Sequence, residues 1–304
     1  INSVKSIDIL DDNAVKISFA IASEKDIELI TVISLDNKMV KMKTVVNNWY
    51  TGNKFLKVEF PVNVHNDYCS YETQFGITKR PTHYNTSWDI AKFEVCHHKF
   101  ADYSEYSKGV SIINDCKYGF ATHGNLMRLS LLRSPKKPDA HADMGNHEME
   151  YAILPHRGGL NMQTVQKAIA FNNKNTFCLP SELATRFEKF VTLTPLQKHS
   201  GLSSIDSLNI VVSSIKRGED DFPDSEYSLS QANDDNTSKS LVVRVYEPLG
   251  GEISAQLNVS QKFTKVDLVD NLEEPLQKDI TALDSHSIAV HLRPFQIKIF
   301  KFYF

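Results

Sequence analysis

The feature that most constrains this chain is a period-two alternation of apolar and polar residues that returns again and again along its length. Val15, Ile17, Phe19 and Ile21 alternate with Lys16, Ser18 and Ala20. Successive side chains on a strand point to opposite faces, so this is the pattern of a half-buried strand. Ile27 to Leu35 is β-branched and continuous, as expected of a strand buried on both faces. Phe55 to Val64, Val110 to Ile113, Leu126 to Leu132, Leu208 to Ile215, Leu241 to Tyr246 and Ile288 to Leu292 repeat the theme, and Ile297 to Phe304 carries apolar groups on both parities. Helical spacing is scarce. Thr164 to Phe171, with Thr164 as cap, and Ser181 to Phe190 are the two candidates. Many strands and little helix predict a mainly β architecture of packed sandwiches.

Length and charge then bound what such a fold can do. The chain has 304 residues, which predicts about two domains. Lys and Arg total 34 against 37 Asp and Glu, so the net charge is −3. That balance offers no basic surplus for phosphate neutralisation and excludes a nucleic-acid partner. No apolar run approaches the roughly 18 residues of a membrane span. Cys69, Cys96, Cys116 and Cys178 are widely spaced, with no CxxC pair, which argues for free thiols in a reducing compartment and against a zinc ribbon. The chain opens at Ile1 without a signal-like stretch and reads as a piece of a longer polypeptide. The acidic run from Gly218 to Ser240 reads as a solvated loop, and a domain boundary is expected near 195–207, giving domains 1–200 and 201–304.

Three stretches are dense in groups that can do chemistry. Phe75 to Asp89 mixes Gly, Pro, Arg, His, Asn and Trp, as a ligand-facing or Trp-pinned loop would. Asn114-Asp115-Cys116-Lys117-Tyr118-Gly119 follows a strand directly and reads either as a site at a strand end or as a hairpin turn. His141 to Glu148 holds two His and an Asp, Asp143, but not at HExxH spacing, so no metal ligand is assigned there. His97 and His98, as strand neighbours, face opposite ways and cannot chelate one ion. There is no GxSxG, P-loop or GxGxxG.

Taken in order, these stretches do more. Phe55 to Pro61, Gln74-Phe75-Gly76, Arg80-Pro81-Thr82 and Asn85-Thr86-Ser87-Trp88-Asp89 are followed by Phe93-Glu94-Val95, His98-Lys99-Phe100-Ala101-Asp102 and Asn114 to Gly119. Then come Leu131-Leu132-Arg133-Ser134-Pro135, Asp143-x-Gly145-x-His147, Lys216 to Asp220, Arg244 to Glu247 and Arg293-Pro294-Phe295. This ordered set resembles the C-terminal β region of family 38 α-mannosidases of the vacuolar and cytosolic type. Phe100, Met149 and Gln296 depart from the usual family residues. The resemblance implies a large galactose-mutarotase-like β-sandwich followed by a smaller one. It also implies a retaining enzyme whose nucleophile and zinc lie in an N-terminal barrel, followed by a helical bundle, both absent here. No catalytic or metal residue is therefore assigned to this chain. Its expected role is to close the substrate cleft, support that barrel and make homo-oligomer contacts, with a mannose-containing oligosaccharide as ligand. Cytosolic synthesis with the vacuole as destination is implied in the same way. A stand-alone carbohydrate-binding module and an oligomerisation scaffold are the alternatives.

The substrate-proximal candidates are Asp143, Gly145, His147, Arg133, Asn114, Asp115 and Lys117. Strict alternation in Leu126 to Arg133 puts Arg133 on the same face as Met127, Leu129 and Leu131. A buried arginine needs a partner, so Arg133 is expected to end in an ion pair or to brace the loop that carries Asp143 and His147.

Overall fold

The computed structural model describes residues 3–21, 26–36, 38–173, 190–196, 208–219 and 240–304. The chain forms two compact units, Ile1–Lys174 and Asn175–Phe304. In the first unit, a nine-stranded sheet carries the strands in the order Ser3–Asp11, Ala14–Ala20, Glu28–Asp36, Met39–Trp49, Gly145–Arg157, Lys108–Asn114, Phe100–Ser104, Tyr68–Thr73 and Gly76–Pro81. A four-stranded sheet runs Phe55–Pro61, Leu126–Arg133, Gly119–His123 and Val95–Cys96. Every ladder is antiparallel, which lets each strand bury one face and solvate the other.

Those buried faces make one core. Leu29, Val46, Tyr71, Ile112 and Tyr151 of the large sheet meet Phe60, Phe120, Met127 and Leu129 of the small one. Two aromatic contacts cross between the sheets edge to face: Phe60 with Tyr151, centroids 6.2 Å apart, and Tyr71 with Phe120, 5.9 Å apart. The Tyr71 hydroxyl donates across the same gap to Thr122 Oγ1 at 3.0 Å.

The large sheet's other face is capped by the helix Met162–Asn172, which buries Met162, Thr164, Val165, Ala168 and Phe171. Asn161 is its cap and accepts from Gln163 N at 2.9 Å. The expected cap, Thr164, is instead buried inside the first turn, where its hydroxyl meets Ser111 Oγ at 3.0 Å. Beneath the helix lies a closed polar cluster centred on Asp102. Its carboxylate accepts from Ser104 at 2.8 Å and Ser111 at 2.6 Å, and pairs with His156 Nε2 at 2.7 Å. Gly109 leaves room for that ring, because a Cβ there would sit 2.3 Å from His156 Cε1.

The second unit is another sandwich. A sheet of Val191–Pro195, Ile253–Val259, Ser287–Leu292 and Ala282–Asp284 faces one of Val211–Arg217, Ser240–Tyr246, Ile297–Tyr303, Lys265–Val269 and Pro275–Gln277. Leu257, Ile288 and Val290 pack against Val243, Val245, Phe300 and Phe302. The C-terminal strand packs on both faces, Phe300 and Phe302 in this core and Ile299 in a separate cluster with Val242 and Val269, which is why it is apolar on both parities.

Three expectations are corrected. Glu28–Asp36 alternates in burial and is not buried on both faces, since Glu28 and Asp36 are exposed and the strand has the hairpin Ser3–Ala20 beyond it. The boundary expected near 195–207 falls too late, because Val191 and Leu193 pack in the second core and their strand pairs with Ile253–Val259. Trp88 does not pin its loop by burial; it is 75% exposed on the short helix Ser87–Ala91, which Thr86 and Asp89 hold with a reciprocal capping box. The expected helix Ser181–Phe190 except for its last residue, all of the acidic run but its ends, and Cys178 lie outside the described residues. Cys69, Cys96 and Cys116 are free thiols.

Candidate functional site

The corner built by Arg133, Asp143, Gly145 and His147 starts from a defect in the small sheet. The register of Leu126–Arg133 against Phe55–Pro61 shifts between Ser130 and Leu132. This bulge turns Leu131 and Leu132 both inward and releases Arg133 to the exposed side. Arg133 is therefore not on the buried face. The expectation from strict alternation fails because one inserted residue reverses the parity.

Beyond the bulge, Ser134 locks the strand end. It accepts from the buried Trp49 indole at 2.5 Å, and its backbone is bonded to Asn53 at 2.8 Å and Lys54 at 3.1 Å. The loop then returns to the large sheet. Asp143 sits at φ +60°, a left-handed conformation that Asp tolerates. Gly145 follows at φ +114°, which only glycine adopts freely, and opens the strand Gly145–Arg157 opposite Trp49. The loop is tied at two points. Asp143 Oδ2 accepts from the Arg133 backbone N–H at 3.0 Å, and His147 Nε2 lies 2.9 Å from the Asp143 carbonyl oxygen, to which it donates. Arg133 meets this loop through its backbone N–H alone, and not through a buried side chain in need of a partner as the alternation implied; its guanidinium lies on the exposed side.

Arg133, Asp143 and Lys117 line one open cleft together with Phe55, Phe93 and Glu94. Phe55 and Phe93 are 43% and 63% exposed and give it an aromatic rim. Glu94 is committed locally, to Lys57 Nζ at 3.1 Å and to the Ser130 hydroxyl. The cleft offers charges of both signs beside exposed aromatic surface. That combination suits an uncharged, hydroxyl-rich ligand better than an anion.

Asn114 and Asp115 are drawn elsewhere. The stretch Asn114 to Gly119 is not a hairpin: it is the corner where the chain leaves the large sheet for the small one. Asn114 is buried. Its amide nitrogen serves His97 Nε2 at 2.9 Å and the His98 carbonyl at 2.7 Å, while its oxygen accepts from Lys117 N at 2.6 Å. Asp115 accepts from Glu150 N at 3.3 Å. These two residues place Lys117 at the cleft. His97, packed 4.8 Å from Phe120, is held neutral by burial, its pKa lowered to about 4. Phe93 and Glu94 are absent from the sequence candidates, although they lie in one of the ordered motifs, because the cleft assembles from separate strands and loops spread between residues 55 and 143.

Among the described residues, no group of three or more His, Cys, Asp or Glu side chains converges as metal ligands would. His147 spends Nε2 on a carbonyl and does not turn it toward Asp143's carboxylate. The described residues at this corner do not fit zinc.

Two family profiles match the chain. Residues 4–141 match the glycosyl hydrolases family 38 C-terminal domain, and residues 209–300 match the glycosyl hydrolases family 38 C-terminal beta sandwich domain. The chain belongs to glycosyl hydrolase family 38 and represents its C-terminal region. It is 54% identical over 306 residues to "Alpha-mannosidase" of Saccharomyces cerevisiae, covering 96% of this chain and 27% of that protein. It is 36% identical over 269 residues to "Alpha-mannosidase 2C1" of Homo sapiens, covering 88% and 23%. The chain thus spans about a quarter of the length of these curated relatives. A crystal structure of an alpha-mannosidase from Enterococcus faecalis V583 superposes with a TM-score of 0.67 at 16% identity, covering 99% of this chain and 35% of that one, which is a likeness of fold. The corner at Asp143 to His147 lies just beyond the first matched stretch.

Proposed function

We propose that this chain is the C-terminal, non-catalytic part of a retaining, zinc-dependent α-mannosidase that removes terminal α-linked mannose from oligosaccharides. The observation that carries the reading is 54% identity, over nearly the whole chain, to a protein named alpha-mannosidase. In a retaining glycosidase two carboxyl groups flank the bond, one as nucleophile and one as acid then base. Those groups and the zinc belong to the rest of the polypeptide. This chain supplies the cleft at Arg133, Asp143 and Lys117, which faces the sugar and orients its hydroxyls without taking part in bond breaking. The outermost strand of the large sheet displays Ile7 and Ile9, 63% and 81% exposed, and gives the barrel, or a second subunit, an apolar surface to cover. Synthesis in the cytosol and delivery to the vacuole are part of this reading, from the resemblance to the vacuolar and cytosolic type of the family.

The test uses the whole polypeptide. Asp143→Asn keeps a residue that tolerates φ +60° and removes the charge; His147→Ala removes the ring that ties the loop. Each should lower kcat/KM for an aryl α-mannoside by about tenfold, roughly 1.4 kcal/mol, with zinc content unchanged. Wild-type kinetics in both variants, on aryl mannoside and oligosaccharide alike, would leave the corner as structure only. The 304-residue chain by itself should not hydrolyse the aryl mannoside with or without added zinc, and zinc-dependent turnover by it would overturn the division of labour.

A further inference from the structure

One end of the first sandwich carries a second cleft that shares no lining residue with the one at Arg133. Four loops build it: 62–67, 82–84, the turn at 105–107 and the turn at 124–125. Their backbones are bonded to one another. Thr82 N donates to the Asp67 carbonyl at 2.9 Å, Gly124 N to the Thr82 carbonyl at 2.8 Å, and Val62 N to the Asn125 carbonyl at 2.9 Å. His65 N donates to Glu105 Oε2 at 3.1 Å, and the Tyr103 hydroxyl donates to the Asn66 carbonyl at 3.0 Å. The loops are thus fixed before any ligand arrives, which lowers the ordering cost of binding.

The side chains on this frame are treated in the opposite way. Those of His65, Asp67, His83 and Asn125 line the cleft and carry no hydrogen bond to any described residue. His83 Nδ1 is withdrawn from solvent and unpartnered, an uncommon state for a buried polar atom. Tyr106, at the rim, is fully exposed at 100%. The cleft therefore presents donors and acceptors of mixed type, two histidines against two carboxylates, and one free aromatic face. No cationic cluster is available for an anion, and no three ligands converge for a metal among the described residues. A ring of hydroxyls with one apolar face matches both halves of this surface.

We propose that this cleft is a carbohydrate-binding site that holds an uncharged mannose unit of an oligosaccharide, with Tyr106 under the sugar ring and Asp67, His83 and Asn125 bonding its hydroxyls. The choice of mannose rests on the reading given under Proposed function; the presence of a sugar site rests on the cleft. The probes are methyl α-D-mannopyranoside and an α-linked mannobiose, titrated calorimetrically into the 304-residue chain. Saturable binding is expected, about tenfold weaker in Tyr106→Ala and in Asn125→Ala and unchanged in Leu272→Ala, an exposed position of the second unit outside both clefts, with the thermal midpoint of each variant confirming that it folds. Tyr106 and Asn125 are exposed, so neither change touches the core. No heat from either sugar at about 20 mM would overturn the proposal. So would wild-type affinity in both cleft variants, or an equal loss in Leu272→Ala. Hydrolysis of an aryl mannoside by the whole polypeptide is read separately, so loss of the mannosidase reading and loss of this site show up in different assays.

Discussion

Asp102→Ala should destabilise the first unit by about 3–5 kcal/mol, enough to consume much of the stability of an ordinary domain. Asp102 is fully enclosed between the large sheet and the helix Met162–Asn172, and it is the common acceptor for Ser104, Ser111 and His156. Removing the carboxylate leaves the buried His156 imidazole and the Ser104 hydroxyl without their acceptor and Ser111 with Thr164 alone, and each lost bond costs desolvation without return. Urea unfolding of wild type and variant, followed by far-UV circular dichroism, reads the difference. A loss below about 1 kcal/mol would mean that water enters and satisfies the cluster.

The same cluster predicts a pH dependence. Burial alone would lower the pKa of His156, but the hydrogen bond and charge of Asp102 outweigh it and hold the pKa above the ordinary 6.5. A raised folded pKa means that the native state binds the proton more tightly than the unfolded chain does. The stabilisation is complete below pH 6.5 and is lost as pH rises through the folded value. Wild type should therefore lose stability above pH 6.5, and His156→Gln should flatten that part of the profile.

Phe120→Ala should cost about 3–5 kcal/mol by leaving a cavity between the two sheets of the first sandwich. Phe120 is wholly buried, edge-on to Tyr71 and against His97. Neither neighbour can collapse into the gap. Tyr71 is tethered by its hydroxyl to Thr122, and His97 is bonded on both nitrogens, to the Tyr118 carbonyl at 3.1 Å and to Asn114. The chevron or equilibrium midpoint in urea should shift while the slope stays constant, and a cost under about 1.5 kcal/mol would show that the corner at Asn114 relaxes around the void.

The alternation of apolar and polar residues was enough to place the strands Ala14–Ala20, Phe55–Pro61, Lys108–Asn114, Leu126–Arg133, Ser240–Tyr246 and Ser287–Leu292, because period two is a local property that burial of one sheet face imposes directly. Family membership was also legible, in an ordered set of short motifs spread over both units. What alternation could not supply was everything that depends on a neighbour far away in sequence. A single bulge at Leu131, seen only against its partner strand, moved Arg133 from the buried face to the cleft. The stretch Asn114 to Gly119 looks the same in sequence whether it closes a hairpin or crosses between sheets; the destination of the next strand decides. Thr164 has the chemistry of a cap, yet Ser111 offers it a buried partner and Asn161 takes the cap. Local preference differs between such alternatives by about a kcal/mol or less, and a tertiary contact of several kcal/mol overrides it.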